Sequence, residues 1–78
     1  MEKSPLLLTM ARPGKKVTIV RIAGGAGRRA RLTAMGLREG MTVRILHSHH
    51  PGPILVAADN TRLAIGRGMA QAIMVRED

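Results

Sequence analysis

The sequence predicts a mostly β fold: a small SH3-like barrel of about five strands, with one inserted short helix and a short C-terminal helical turn. Three observations predict it. Short runs of alternating, β-branched residues recur along the chain, separated by turn residues every few positions. Only one stretch, in the middle, changes to helix formers, so strands and helices do not alternate as they would in a parallel sheet. The chain also has 78 residues with no Phe, Tyr, Trp or Cys, so a single small core must be built from Val, Ile, Leu, Met and Ala. A chain of this length hides only about 60–65% of the surface its unfolded form exposes. Closing the sheet removes strand edges that so short a chain cannot otherwise cover; an open α+β sheet is the structural alternative.

The elements follow in order. Residues 1–7 read as a loose tail on a single domain spanning 1–78. Pro13-Gly14 is a turn signal, and KVTIVRI (16–22) after it is β-branched and roughly alternating, a strand. Gly24-Gly25 ends that strand. AGRRARLTAM (26–35) predicts a helix of two to three turns, with Leu32 and Met35 on one face and Gly36 where a glycine stops a helix. LREG (37–40) is a turn. In MTVRIL (41–46), Met41, Val43 and Ile45 alternate inward against Thr42 and Arg44. ILVAA (54–58) is the antiparallel partner, and Asp59-Asn60 turns the chain into TRLAI (61–65). GRGMAQA (66–72) gives one helical turn and IMVR (73–76) a closing strand.

The formal net charge is +8, from 13 Lys and Arg against 5 Asp and Glu, which favours acidic surfaces of any kind. Ten of the 13 cations are Arg, a bias that genome base composition also produces. The absence of aromatics removes the stacking platforms of single-strand binders, so no stable nucleic-acid partner is expected. The run Leu6–Leu8 is far shorter than a signal-peptide core, and no apolar stretch approaches a membrane span. A soluble, cytoplasmic protein is the expectation. An exposed edge strand offers a route to a homo-oligomer.

No catalytic constellation is visible. The carboxylates fall at 2, 39, 59, 77 and 78, which pairs none of them for acid–base work, so the chain reads as no enzyme. GGAG (24–27) precedes the helix but lacks the Lys-Ser/Thr pair of a phosphate loop, and Arg28-Arg29 stands there instead. All three histidines lie in HSHHPGP (47–53). On extended backbone His47 and His49 point to one side and His50 to the other. Asp59 falls opposite about Met41, ~20 Å along the hairpin from His47. Two co-facing imidazoles are short of the four ligands of a structural zinc site or the three of a catalytic one. No physiological metal is expected, and His47, His49 and His50 are candidates for adventitious zinc or nickel shared between copies.

One stretch is more specific. Arg31-Leu32-x-x-Met35-Gly36-Leu37-x-x-Gly40-x-x-Val43, with VRI (20–22) before it and RLAIGRGMAQAIMV (62–75) after the hairpin, resembles the signature of the ferrous iron transport protein A family, FeoA. The resemblance covers about residues 8 to 76. It implies an SH3-like barrel without enzymatic activity. It also implies a cytoplasmic accessory role with the membrane ferrous-iron transporter FeoB, which has a GTP-binding domain, and recruitment to the inner face of the membrane. The candidate contact surface is the helix and following turn: Arg28, Arg29, Arg31, Leu37 and Arg38, with Leu37 also readable as core. The chain departs from the family at the hairpin loop, where A-P-L-G-D-P is common and His49-His50-Pro51-Gly52-Pro53 stands instead. Two other functions are kept in view. One is a regulatory module similar to the SH3-like C-terminal domain of iron-dependent repressors, for which 78 residues leave no room for a DNA-reading domain upstream. The other is general binding of nucleic acid by a basic protein.

Overall fold

In the computed structural model, which describes residues 4–78, the alternating segments form one antiparallel sheet. The elements are β1 (Leu6–Leu7), a 3-10 turn at Leu8–Met10, β2 (Lys16–Ile22), α1 (Gly25–Ala34), β3 (Thr42–Ser48), β4 (Ile54–Ala58), β5 (Thr61–Ile65), α2 (Arg67–Ala70) and β6 (Ile73–Glu77). The strand order is β1-β6-β2-β3-β4-β5, and the sheet curls round its core as a small SH3-like barrel. Six strands stand where five were expected. The extra one comes from the supposed loose tail, whose residues 1–3 lie outside the described residues: Leu6 pairs with Val75 and Leu7 with Met74. Two residues are too few for alternation to show in the sequence.

The core is wholly aliphatic. Val17, Ile19 and Ile22 of β2 meet Val43 and Ile45 of β3, Ile54 and Val56 of β4, Ile65 of β5, and Ile73 and Val75 of β6. Leu8 closes one end from the 3-10 turn, and Leu32 and Leu37 enter from α1 and its exit. Among the described residues no polar or charged residue is buried as a whole, although the Arg67 Nε is out of contact with solvent and has no hydrogen-bond partner.

Two register shifts explain where alternation fails. In β2 the pairing with β6 slips between Ile19 and Arg21. Without the slip Arg21 would follow Val17 and Ile19 inward; with it Arg21 is exposed and Ile22 buried. In β3 the pairing with β4 slips between Ile45 and His47. Leu46 is the extra residue, and it inverts the parity of everything after it. Val43 and Ile45 are buried, yet His47, which strict alternation would also turn inward, is exposed.

α1 ends in a full Schellman closure. The Leu37 N–H donates to the Leu32 carbonyl at 2.9 Å and the Gly36 N–H to the Thr33 carbonyl at 2.9 Å, with Gly36 at φ +92°. The hydrophobic contact that accompanies this motif is made by Leu32 and Leu37, both fully buried. Leu37 therefore belongs to the core and not to an exposed contact surface, because the reversal at Gly36 folds it back under the helix.

Candidate functional site

Leu32 is the only buried residue of α1, so most of the helix faces solvent. The helix starts at Gly24 and Gly25, whose φ values of +94° and +84° turn the chain out of β2. No side chain caps its first turn and no acid lies in it. The predicted arginines do not form one cluster. Arg28 and Arg31, three residues apart, share a face and line a hollow of about 300 Å³ with Gly24, Gly27 and Met69. Arg29 points about 100° away from Arg28 and about 160° from Arg31. It lines a second hollow, about 280 Å³, with Ile22, Thr33, Arg38 and Glu39.

Glu39 organises that second hollow. One carboxylate oxygen, Oε2, accepts from the Ile22 backbone N–H and from Arg29 Nη2, both at 3.0 Å. The end of β2, the helix and the turn after it are thereby tied at one atom. Among the described residues Arg29–Glu39 is the only ion pair, with side chains 56% and 41% exposed, so solvent and salt screen it. Arg29 is thus partly committed to the fold, whereas Arg28, Arg31 and Arg38 are exposed without a carboxylate partner among those residues. The sequence carried no signal for Glu39, because its partner 17 positions away is a backbone N–H.

The Ile22 N–H, then Arg29's hydrogen bond and the charges of Arg29 and Arg21, hold the Glu39 carboxyl below its ordinary value of 4.5 against slight desolvation. A carboxyl depressed in the folded state binds fewer protons there than in the unfolded chain. Its stabilising contribution is therefore complete above 4.5 and is lost as pH falls through the folded-state value. Glu39→Gln is expected to melt below the parent at neutral pH, and the gap should close as the pH is lowered past 4.5. A gap that stays constant across thermal melts in that range would show that the charge is not what matters.

Two further hollows lie elsewhere. One of about 580 Å³ is lined mainly by apolar groups of Pro5, Leu7, Val20, Ala23 and Met74. A smaller one, about 150 Å³, lies between Met35, Met41 and Leu63, with Asp59 at its rim.

The histidines fall at the far tip of the β3–β4 hairpin. His47 and His49 share a face, their ring centroids 4.2 Å apart and the planes 71° from parallel. All three imidazoles are exposed. Asp59 sits at the opposite end of the hairpin, beyond the Ala58–Thr61 pair. Among the described residues no three His, Cys, Asp or Glu side chains come together as a ligand set.

Comparison with known proteins agrees with the fold and the motif. The family model described as the FeoA domain matches residues 6–77. A relative from Methanocaldococcus jannaschii named Fe(2+) transport protein A is 33% identical over 70 residues, 90% of this chain and 84% of that protein. The crystal structure of an iron uptake regulatory protein, FeoA, superposes with a TM-score of 0.90 at 40% identity, covering 96% of this chain and all of that one. A manganese-dependent transcriptional repressor contains a similar unit: TM-score 0.86 and 27% identity over 97% of this chain, but only 43% of the repressor. The barrel with its inserted helix, the Leu32–Leu37 closure and the match over residues 6–77 place the chain in the FeoA family.

Proposed function

We propose that the chain is a non-enzymatic accessory protein of ferrous iron uptake that docks on the cytoplasmic, GTP-binding part of the membrane transporter FeoB. The family match over residues 6–77 carries this reading. The geometry supports it in one respect: α1 presents its cations outward and is fixed to the barrel by its last turn, so its exposed face is available to a partner. Among the described residues no helix is long and apolar enough to cross a membrane, which leaves transport itself to the partner. The docking cations are Arg28, Arg31 and Arg38; Arg29 contributes through its neighbour Glu39.

A pull-down of the transporter's cytoplasmic domain on the immobilised chain tests this. The parent should retain the domain, and Arg28→Glu with Arg31→Glu should weaken retention at least about tenfold, since reversing two charges at a polar contact costs on the order of 1.4 kcal/mol or more. Undiminished binding by the double variant would move the contact off α1. Failure of the parent to bind would remove the transporter as partner. The likeness to the manganese-dependent repressor over 97% of this chain favours a second reading, a regulatory module of the repressor type. Retention of a metal-dependent repressor, and not of the transporter, in the same assay would select it.

A further inference from the structure

The register of the sheet aligns cations that are far apart in sequence. Lys16 pairs with Arg44, Arg44 with Ala57, and Ala57 with Arg62. One row across β2, β3, β4 and β5 therefore reads Lys-Arg-Ala-Arg. Paired residues share a face, and their neighbours Val17, Val43, Ile45 and Val56 are buried, so the row points to solvent. All three cations are exposed. At a strand spacing of about 4.8 Å, Lys16 and Arg44 have their backbones roughly 5 Å apart, with Arg62 roughly 10 Å further along.

Such a row is costly for a protein on its own, because like charges directly opposite in a sheet repel. Arg44 gives one donor to the Gly14 carbonyl at 3.1 Å, but none of the three cations has a carboxylate partner among the described residues. Asp78 continues the row beside Lys16, its backbone N–H donating to the Lys16 carbonyl at 3.0 Å, but its carboxylate accepts from the Thr18 hydroxyl at 2.8 Å and not from Lys16.

Beside the cations runs an apolar strip. The slip in β3 brings out Leu46, 37% exposed, and sets His47 opposite Leu55, which in turn pairs with Ala64. None of the hollows described above is lined by these residues. The face offers a charged row and short apolar side chains, and no socket. That combination fits a plane of negative headgroups over hydrocarbon, where Lys and Arg reach the phosphates and a leucine enters the boundary. It fits nucleic acid less well: the chain has no Phe, Tyr or Trp to stack on a base, and Leu46 and Leu55 have nothing to do against a sugar-phosphate backbone.

We infer that the outer face of β2–β5 binds the headgroups of anionic phospholipids through Lys16, Arg44 and Arg62, with Leu46 seated at headgroup depth. The inference does not depend on the identity of the protein partner. Co-sedimentation of the full chain with vesicles of phosphatidylcholine, with and without phosphatidylserine, tests it. Binding should require phosphatidylserine and weaken as salt rises. Each of Lys16→Gln, Arg44→Gln and Arg62→Gln should weaken it about fivefold, and the three together roughly a hundredfold, the scale of one basic residue at an anionic surface. Arg21→Gln, which removes the same charge at the far end of β2, beside Met74 and outside the row, should lose less. Leu46→Ser should weaken vesicle binding while leaving retention on duplex DNA unchanged. Circular dichroism confirms that each variant is folded. Equal losses for Arg44→Gln and Arg21→Gln would reduce the effect to overall charge and overturn the assignment. So would unchanged binding by the triple variant, no effect of Leu46→Ser, or retention on DNA or an acidic peptide through these residues without binding to vesicles.

Discussion

Leu32→Ala is expected to lower the unfolding free energy by about 2–5 kcal/mol and the melting temperature by at least about 10 °C. Leu32 is fully buried and is the single residue that α1 commits to the core. Its carbonyl also receives the N–H of Leu37, so a cavity at this site loosens the packing under both the helix and its exit. A 78-residue domain holds a total of only about 4–12 kcal/mol, and no aromatic side chain is available to fill the space. Urea and thermal unfolding followed by circular dichroism would measure the loss. A change under about 1 kcal/mol would mean that the site collapses onto the missing methyl groups and that α1 is held by something other than Leu32.

Gly36→Val should cost about 1–3 kcal/mol for a different reason. A Cβ at Gly36 meets nothing within 4 Å, but the backbone stands at φ +92°, a region β-branched residues avoid. Packing and strain are therefore separable here: Leu32→Ala opens a void with the backbone unstrained, and Gly36→Val strains the backbone with no clash. Gly36→Asn should lie between the parent and the valine variant, since asparagine tolerates the left-handed region. If asparagine and valine were equally damaging in the same unfolding assay, the cost would not be backbone strain.

Most of the fold was legible because alternation is a direct record of which face of a strand is wet. β4 and β5 coincide with the runs read from sequence, at Ile54–Ala58 and Thr61–Ile65. The bulges were not legible. KVTIVRI looks like an imperfect strand, and only the pairing with β6 shows that its imperfection is an inserted residue that keeps Ile22 in the core and Arg21 out of it. The same holds at Leu46. Co-facing of His47 and His49 follows from their spacing, but the side they face is decided by Leu46, the residue inserted immediately before His47.

The contact surface was legible in part. The arginines on α1 are exposed as their spacing suggests, and that spacing also separates Arg28 and Arg31 from Arg29. Leu37 had two readings, and the choice between them rests on the chain reversal at Gly36, a backbone event. Glu39 gave no sign at all, because what holds it is the end of a strand brought near by the fold. The row Lys16–Arg44–Arg62 was equally hidden: its members are 28 and 18 positions apart in sequence and become neighbours only through strand register.

The way α1 is attached has a consequence for how a partner would be bound. Its last turn is locked by Leu32 and the Leu37 closure, while its first turn begins on two glycines without a side-chain cap, and among the described residues the one ion pair of the helix is the exposed Arg29–Glu39 pair that follows that turn. Local opening is therefore expected to cost less at Gly25 than at Leu32. Arg28 rides on the loose half. Any partner that grips it must first quiet the segment that carries it, so the affinity of that contact is governed as much by ordering entropy as by charge.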